Sequence, residues 1–337
     1  MVIMLREIDL KNFKIRTDLI TESVTDLKRE EVLKGVFVSK LCLDETRAKE
    51  GLKKPGNYTT IEFTDITDID NFLGLKQVLK SCLKPFIKGE KTLLIGLGNQ
   101  KSTPDILGPK TIDEIVVTSY LENLGPLEEG FSSTAIFKPG VTGETGLETS
   151  SVLKSIVTSF KPKQVIVIDA LASKSLDRVC KTIQITDTGI EPGSGVGNKR
   201  TEISADTLGV PVLAIGIPTV VDAVSVVSDT ITYLMKQYSF QKKFLHTKKS
   251  RLIPTSKINY LNEEIEIDKE DKEKVLGMLG LLEEEEVKEL FYEVLTPIGY
   301  NLMVTPKEID FTVQKLAHLL ATALNEILHP KLEESKE

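Results

Sequence analysis

Three carboxylates stand where an open α/β sheet would place its chemistry. Asp105 ends the step Thr103-Pro104-Asp105 that follows the glycine turn Gly96-Leu97-Gly98-Asn99. Asp169 closes the apolar run Val165–Ile168, and Asp187 opens Asp187-Thr188-Gly189 behind another apolar run. Sites on such sheets form outside the carboxyl ends of the strands. A carboxylate directly after buried apolar residues is desolvated, which raises its pKa. Two carboxyls brought together can share one proton, so that one activates water and the other protonates a leaving amine. That chemistry is hydrolysis, with Asp105 and Asp169 as the pair and Asp187 as a third member. Each acid also has a plain structural use. Asp is a favoured helix N-cap, so Asp169 could cap a helix from Ala170 and Asp105 one from Gly108. Asp187 suits an ordinary turn.

The glycines around these acids allow a second reading. Gly98 and Asn99 could begin a dinucleotide-binding turn, and the Gly193-Ser194-Gly195-Val196-Gly197-Asn198 flap could cradle a phosphate or support a substrate. The first lacks the third glycine of GxGxxG, and the second lacks the Walker spacing. A flap that needs unusual φ values explains the second equally well. The DTG triplet at 187–189 matches pepsin-like enzymes over three residues only, and those are all-β. The histidines, His246, His318 and His329, lie far from the strand ends, which disfavours nucleophile triads. No Cys/His cluster has metal-ligand spacing, so neither metal nor cofactor is expected. From the residues alone the chain is a hydrolase, a nucleotide binder or a non-catalytic interaction protein. Titration with NAD and ATP separates the second from the others.

The elements that must position these groups are legible as alternating segments. Apolar runs at 91–99, 161–170, 182–190 and 210–218 read as buried strands, and 35–43 and 57–64 as further strands. Helical spacing appears at 69–84, 108–121, 147–160, 219–237, 271–295 and 304–328, the last with Pro306 in its first turn. The pattern predicts a three-layer α/β/α core with a mostly parallel sheet. We divide the chain into a leader of residues 1–18, a core of 19–240 with 296–330, and an inserted helical subdomain of 241–295. The formal net charge of -7 disfavours direct nucleic-acid binding. Three cysteines without CxxC spacing fit a reducing cytosol. The longest apolar run, 210–227, is broken by Pro211, Pro218 and Asp222 and is no membrane span.

The motifs resemble the germination protease family of endospore-forming bacteria. The match runs through GLGN and TPDILGP (96–109), FKPGVTGETGLETS (137–150), VIVIDALAS (165–173), IQITDTGIEPGSGVGNKR (183–200), GVPVLAIGIPTVVDAVSVVSDT (209–230) and MVTPKEID (303–310). The resemblance implies a phosphorylase/hydrolase-like fold related to hydrogenase maturation proteases. It implies an atypical aspartic endopeptidase with Asp105 and Asp169 as its essential acids. It further implies small acid-soluble spore proteins as substrates, a homotetramer, and a place in the cytoplasm of the forespore and spore core. Members shed a short N-terminal segment. Their substrates are cut after an acid that is followed by an apolar, a small and a variable residue and then Glu. Asp18-Leu19-Ile20-Thr21-Glu22 is a near-copy that departs only at Ile20, so the expected cut lies between Asp18 and Leu19.

Overall fold

A computed structural model describes residues 17–24, 27–46, 53–194, 200–245, 267–295 and 302–334. The chain divides into two compact units, one of Arg16–Val220 with Thr305–Glu337 and one built on Val221–Val304. In chain order the main elements are β1 (Arg29–Leu33), β2 (Val36–Leu43), β3 (Gly56–Phe63), α1 (Ile69–Leu83), β4 (Thr92–Gly96), α2 (Leu107–Asp113), β5 (Thr134–Phe137) and α3 (Thr149–Phe160). There follow β6 (Gln164–Ser173), β7 (Thr182–Thr186), α4 (Ala205–Leu208), β8 (Val212–Asp222), α5 (Ala223–Leu245), α6 (Lys269–Leu276), α7 (Glu284–Leu295), β9 (Met303–Val304) and α8 (Ile309–Leu328).

One sheet runs β1-β2-β3-β7-β8-β6-β4-β5, with β9 joined to the end of β8. Its two faces are covered by different helices. On one, Leu93 and Ile95 of β4 and Val165 and Val167 of β6 pack on Leu153 and Val157 of α3. The helix forms because Leu153, Ile156, Val157 and Phe160 share one face. Lys161 in the left-handed conformation, followed by Pro162, ends it. On the other face α2 lies against β4 and β6, and α8 packs on α2 and α1. The approach is close: a Cβ on Gly96 would meet the Gly108 carbonyl oxygen at 2.4 Å. Emptying this core at Leu153 by substitution with Ala costs about 2–5 kcal/mol.

The sheet is mixed, which corrects the expectation of a mostly parallel one. β4 is parallel to β5 and β6, whereas β1–β2, β2–β3, β3–β7 and β7–β8 are antiparallel. Strands buried on both faces read as apolar whichever way they run. Direction is set by the connections, and residues 174–181 between β6 and β7 are too few for a crossover of about a dozen residues. Other boundaries shift for local reasons. The helix expected over 108–121 stops at Asp113, and a 3-10 turn at Ser119–Asn123 follows. β8 runs through Pro218 to Asp222, because Val221 and Asp222 gain a partner in β9, paired to Val304 and Met303. The helix predicted from 304 starts at Ile309 for the same reason.

The described part of the unit of Val221–Val304 is mainly helical, with the short β8–β9 pairing at its two ends. The long helix expected over 271–295 is broken by the 3-10 turn Gly277–Leu281, where Gly277 has φ 59°. Lys242 of α5 pairs with the buried carboxylate of Asp271 in α6 at 2.7 Å. Residues 246–266 of the expected insertion lie outside the described residues. Among the described residues no helix is long and apolar enough to cross a membrane.

Candidate active site

Asp169 sits within β6, because the strand continues to Ser173. No helix begins at Ala170, so the capping reading is set aside. The carboxylate is 6% exposed, and its Oδ1 accepts the Ala170 N–H at 2.9 Å. Asp105 ends the 3-10 turn Thr103–Asp105 and does not cap α2, whose N-terminus has no side-chain cap. Its Oδ2 turns back to accept the Asn99 N–H at 2.7 Å. Gly98 makes this possible: at φ 119° it lies so near that a Cβ would meet the Asp105 carbonyl oxygen at 1.9 Å. The glycine turn is therefore a seat for a carboxylate of the chain itself. With the Asn99 N–H engaged and a negative charge in place, the turn is unsuited to pyrophosphate.

The charge of Asp105 reaches Asp169. Burial pushes the Asp169 carboxyl well above the usual range, and the negative charges of Asp105 and then Asp18 raise it further. The Ala170 N–H and Arg200 oppose that rise. Burial also raises Asp105, against the Asn99 N–H and Arg200. Of the two, Asp169 is the one that holds a proton more tightly.

Thr17–Glu22 is docked against β6 and β7, with Asp18 near enough to Asp169 to raise its pKa. The Asp18 N–H donates to the Ala172 carbonyl at 3.2 Å. The Asp18 carboxylate accepts the Ala172 N–H at 2.9 Å and the Ser194 hydroxyl at 2.6 Å. Leu19 is fully buried and Ile20 nearly so. Gln184, on β7, accepts the Ile20 N–H at 2.6 Å and donates to the Asp18 carbonyl at 3.0 Å. Glu22 accepts the N–H groups of Lys174 at 2.8 Å and Ser175 at 3.1 Å and the Ser173 hydroxyl at 2.7 Å, with Arg178 Nε at 3.6 Å. Beyond Asp18 a cavity of about 140 Å³ is lined by Lys53, Tyr58, Thr188 and Glu191 among others; Asp105 and Asp169 are not in its wall.

The other expected residues divide. Asp187 does not join the acids: it accepts the backbone N–H of Asn57 at 2.8 Å and its side-chain amide at 2.7 Å, and so ties β7 to the start of β3. Gly193, at φ 74°, turns the loop so that Ser194 reaches Asp18. Gly195 lies outside the described residues, as do residues 1–16 of the leader and His246. His318 meets Glu114, and the buried His329 meets the Val116 carbonyl. Sequence reasoning missed Lys53, Arg178 and Gln184. Only Gln184 carried a signal, as a polar residue inside the apolar run Ile183–Ile185. Among the described residues no group of three or more His, Cys, Asp or Glu is arranged for a metal ion.

A model of the germination protease family matches residues 6–337. Germination proteases of Bacillus thuringiensis subsp. konkukian, Bacillus cereus and Bacillus anthracis are each 42% identical to the chain, over 97% of its length and 97% of theirs. An α/β chain with this likeness is a peptidase. It belongs to the germination protease family.

Proposed function

We propose that this chain is the endopeptidase that begins the breakdown of small acid-soluble spore proteins during germination, and that it is made as a precursor that cuts itself between Asp18 and Leu19. The observation that carries this reading is the docked Thr17–Glu22 segment. Its two acids are held by hydrogen bonds, and Asp18 is near enough to raise the Asp169 pKa. In the reaction Asp105 and Asp169 share one proton. The ionised carboxylate takes a proton from water, whose oxygen bonds to the Asp18 carbonyl carbon. The neutral carboxyl gives its proton to the Leu19 nitrogen as the C–N bond breaks. The products are an Asp18 carboxylate and a new amine at Leu19.

The resemblance supports the wider setting: a homotetramer in the cytoplasm of the forespore and spore core, with a fold related to hydrogenase maturation proteases. On this reading residues 1–18 are the propeptide, 19–240 with 296–330 the catalytic core, and 241–295 an insertion. The test is to incubate the purified full chain alone and with a small acid-soluble spore protein, wild type beside Asp169→Asn. The wild type gives a new N-terminus at Leu19 and degrades the spore protein; the variant keeps Met1 and does neither. Self-cutting that persists in Asp169→Asn overturns the reading.

A further inference from the structure

The Asp18 carbonyl oxygen is the atom on which negative charge develops if the bond to Leu19 is cut. Two side chains already point donors at it: Gln184 Nε2 at 3.0 Å and Lys53 Nζ at 3.3 Å. Resting on the self-cutting reading above, we propose that Lys53 and Gln184 form the oxyanion site of this protease and act on every substrate carbonyl that occupies the place of Asp18.

Each donor is fixed from a second direction. Gln184 is 7% exposed, and its Oε1 accepts the Ile20 N–H at 2.6 Å. That bond orients the amide, so its NH₂ faces the Asp18 carbonyl on the other side of the Asp18–Leu19 bond. One side chain thus spans the bond to be cut. Lys53 also donates to the Thr17 carbonyl, at 3.1 Å, which holds its ammonium at the end of the docked segment. It is half-buried; burial lowers its pKa, and the negative charges of Asp18, Glu191 and Glu22 oppose that fall. A neutral amide and a cation on one carbonyl are preorganised for an oxygen whose charge goes from partial to full. Glu62 and Arg178 illustrate the difference: Arg178 donates to the Thr21 hydroxyl and to Glu62, which positions the segment but touches no reacting atom.

The electron count is simple. As the water oxygen bonds to the Asp18 carbon, the C=O π pair moves onto the carbonyl oxygen, where Lys53 and Gln184 hold it. The pair returns as the C–N bond breaks and the Leu19 nitrogen takes its proton from the neutral carboxyl. Nothing is oxidised or reduced.

The test uses Lys53→Met, Gln184→Leu and the isosteric Gln184→Glu in the full chain, with rates of self-cutting measured in single turnover. A synthetic peptide of residues 12–26 is then given in trans to chain that has already processed itself. Removal of one oxyanion donor lowers kcat by about 10²–10³-fold. The expected result is that loss in kcat for each variant, with KM for the peptide within about threefold of wild type. If Gln184→Leu fails to fold, Gln184→Glu carries the comparison. Unchanged kcat with raised KM assigns the two residues to docking alone and overturns the inference while the parent reading stands. No cutting by the wild type, or cutting that survives Asp169→Asn, overturns the parent reading and this one with it.

Discussion

Asp18 and Ala172 exchange two hydrogen bonds: the Asp18 N–H donates to the Ala172 carbonyl at 3.2 Å, and the Ala172 N–H donates to the Asp18 carboxylate at 2.9 Å. The acid of the segment is thereby tied to β6 three residues beyond Asp169. Its charge is one of the causes that raise the Asp169 pKa, after burial and Asp105. Asp18→Asn keeps the shape and removes the charge, so the Asp169 pKa falls. Self-cutting of Asp18→Asn is expected to be slower, with its alkaline limb moved to lower pH. A pH–rate profile of single-turnover processing checks this; an unmoved limb counts against it.

The acid pair sets the sign of the activity profile. Both carboxyls are raised, Asp169 more than Asp105. On acidification Asp169 takes its proton first, while Asp105 stays ionised until lower pH. One neutral and one ionised carboxyl therefore coexist between the two values. Processing should rise as pH falls through the Asp169 value and drop again when Asp105 protonates. Asp105→Asn and Asp169→Asn should each lower the rate by at least about 10³-fold, within the range of general acid–base catalysis. Rates across pH 4–9, read by gel and mass spectrometry, decide it.

Burial of Asp169 also has a stability signature. Its folded-state pKa is raised above the unfolded value, so its contribution is fully present below about pH 3.9 and is lost as pH rises through the folded value. Above that point the fold holds a buried charge. Asp169→Asn keeps the acceptor for the Ala170 N–H and carries no charge. The variant should be more stable than wild type at pH 8. The gain should vanish near pH 4. Urea unfolding at the two pH values measures it, and a gain that is equal at both would refute the charge explanation.

Gly98 is the position where a single methyl does most harm to the site. At φ 119° its place is open to glycine, and a Cβ would strike the Asp105 backbone. Gly98→Ala must displace the Thr103–Asp105 turn and release the Asn99–Asp105 bond. Processing should be lost, with destabilisation of about 1–3 kcal/mol, while Gly143→Ala, in open space, should leave both unchanged. Thermal unfolding and processing assays of the two variants test the contrast.

The carboxylates at 105 and 169 could be nominated from sequence because each follows an expected buried strand or its glycine turn, where an open α/β sheet places its sites. Their alternative roles as helix caps were equally legible, and only the fold removed them: β6 runs on past Asp169, and Asp105 turns back to Asn99. The Asp18–Glu22 segment could be marked from its residue types, but not its seats. Those are built from Ala172, Ser173, Lys174 and Ser175 on one side and Gln184 on another. Backbone N–H groups carry no residue code, and partners more than 150 positions away in the chain leave no local pattern. Asp187 shows the converse, an acid at the end of an apolar run whose partner, Asn57, lies on a strand that sequence could not orient. Apolar content settled which segments are buried strands. The direction of each strand, and with it which strand ends meet, depends on connection lengths and pairing that exist only once the sheet has formed.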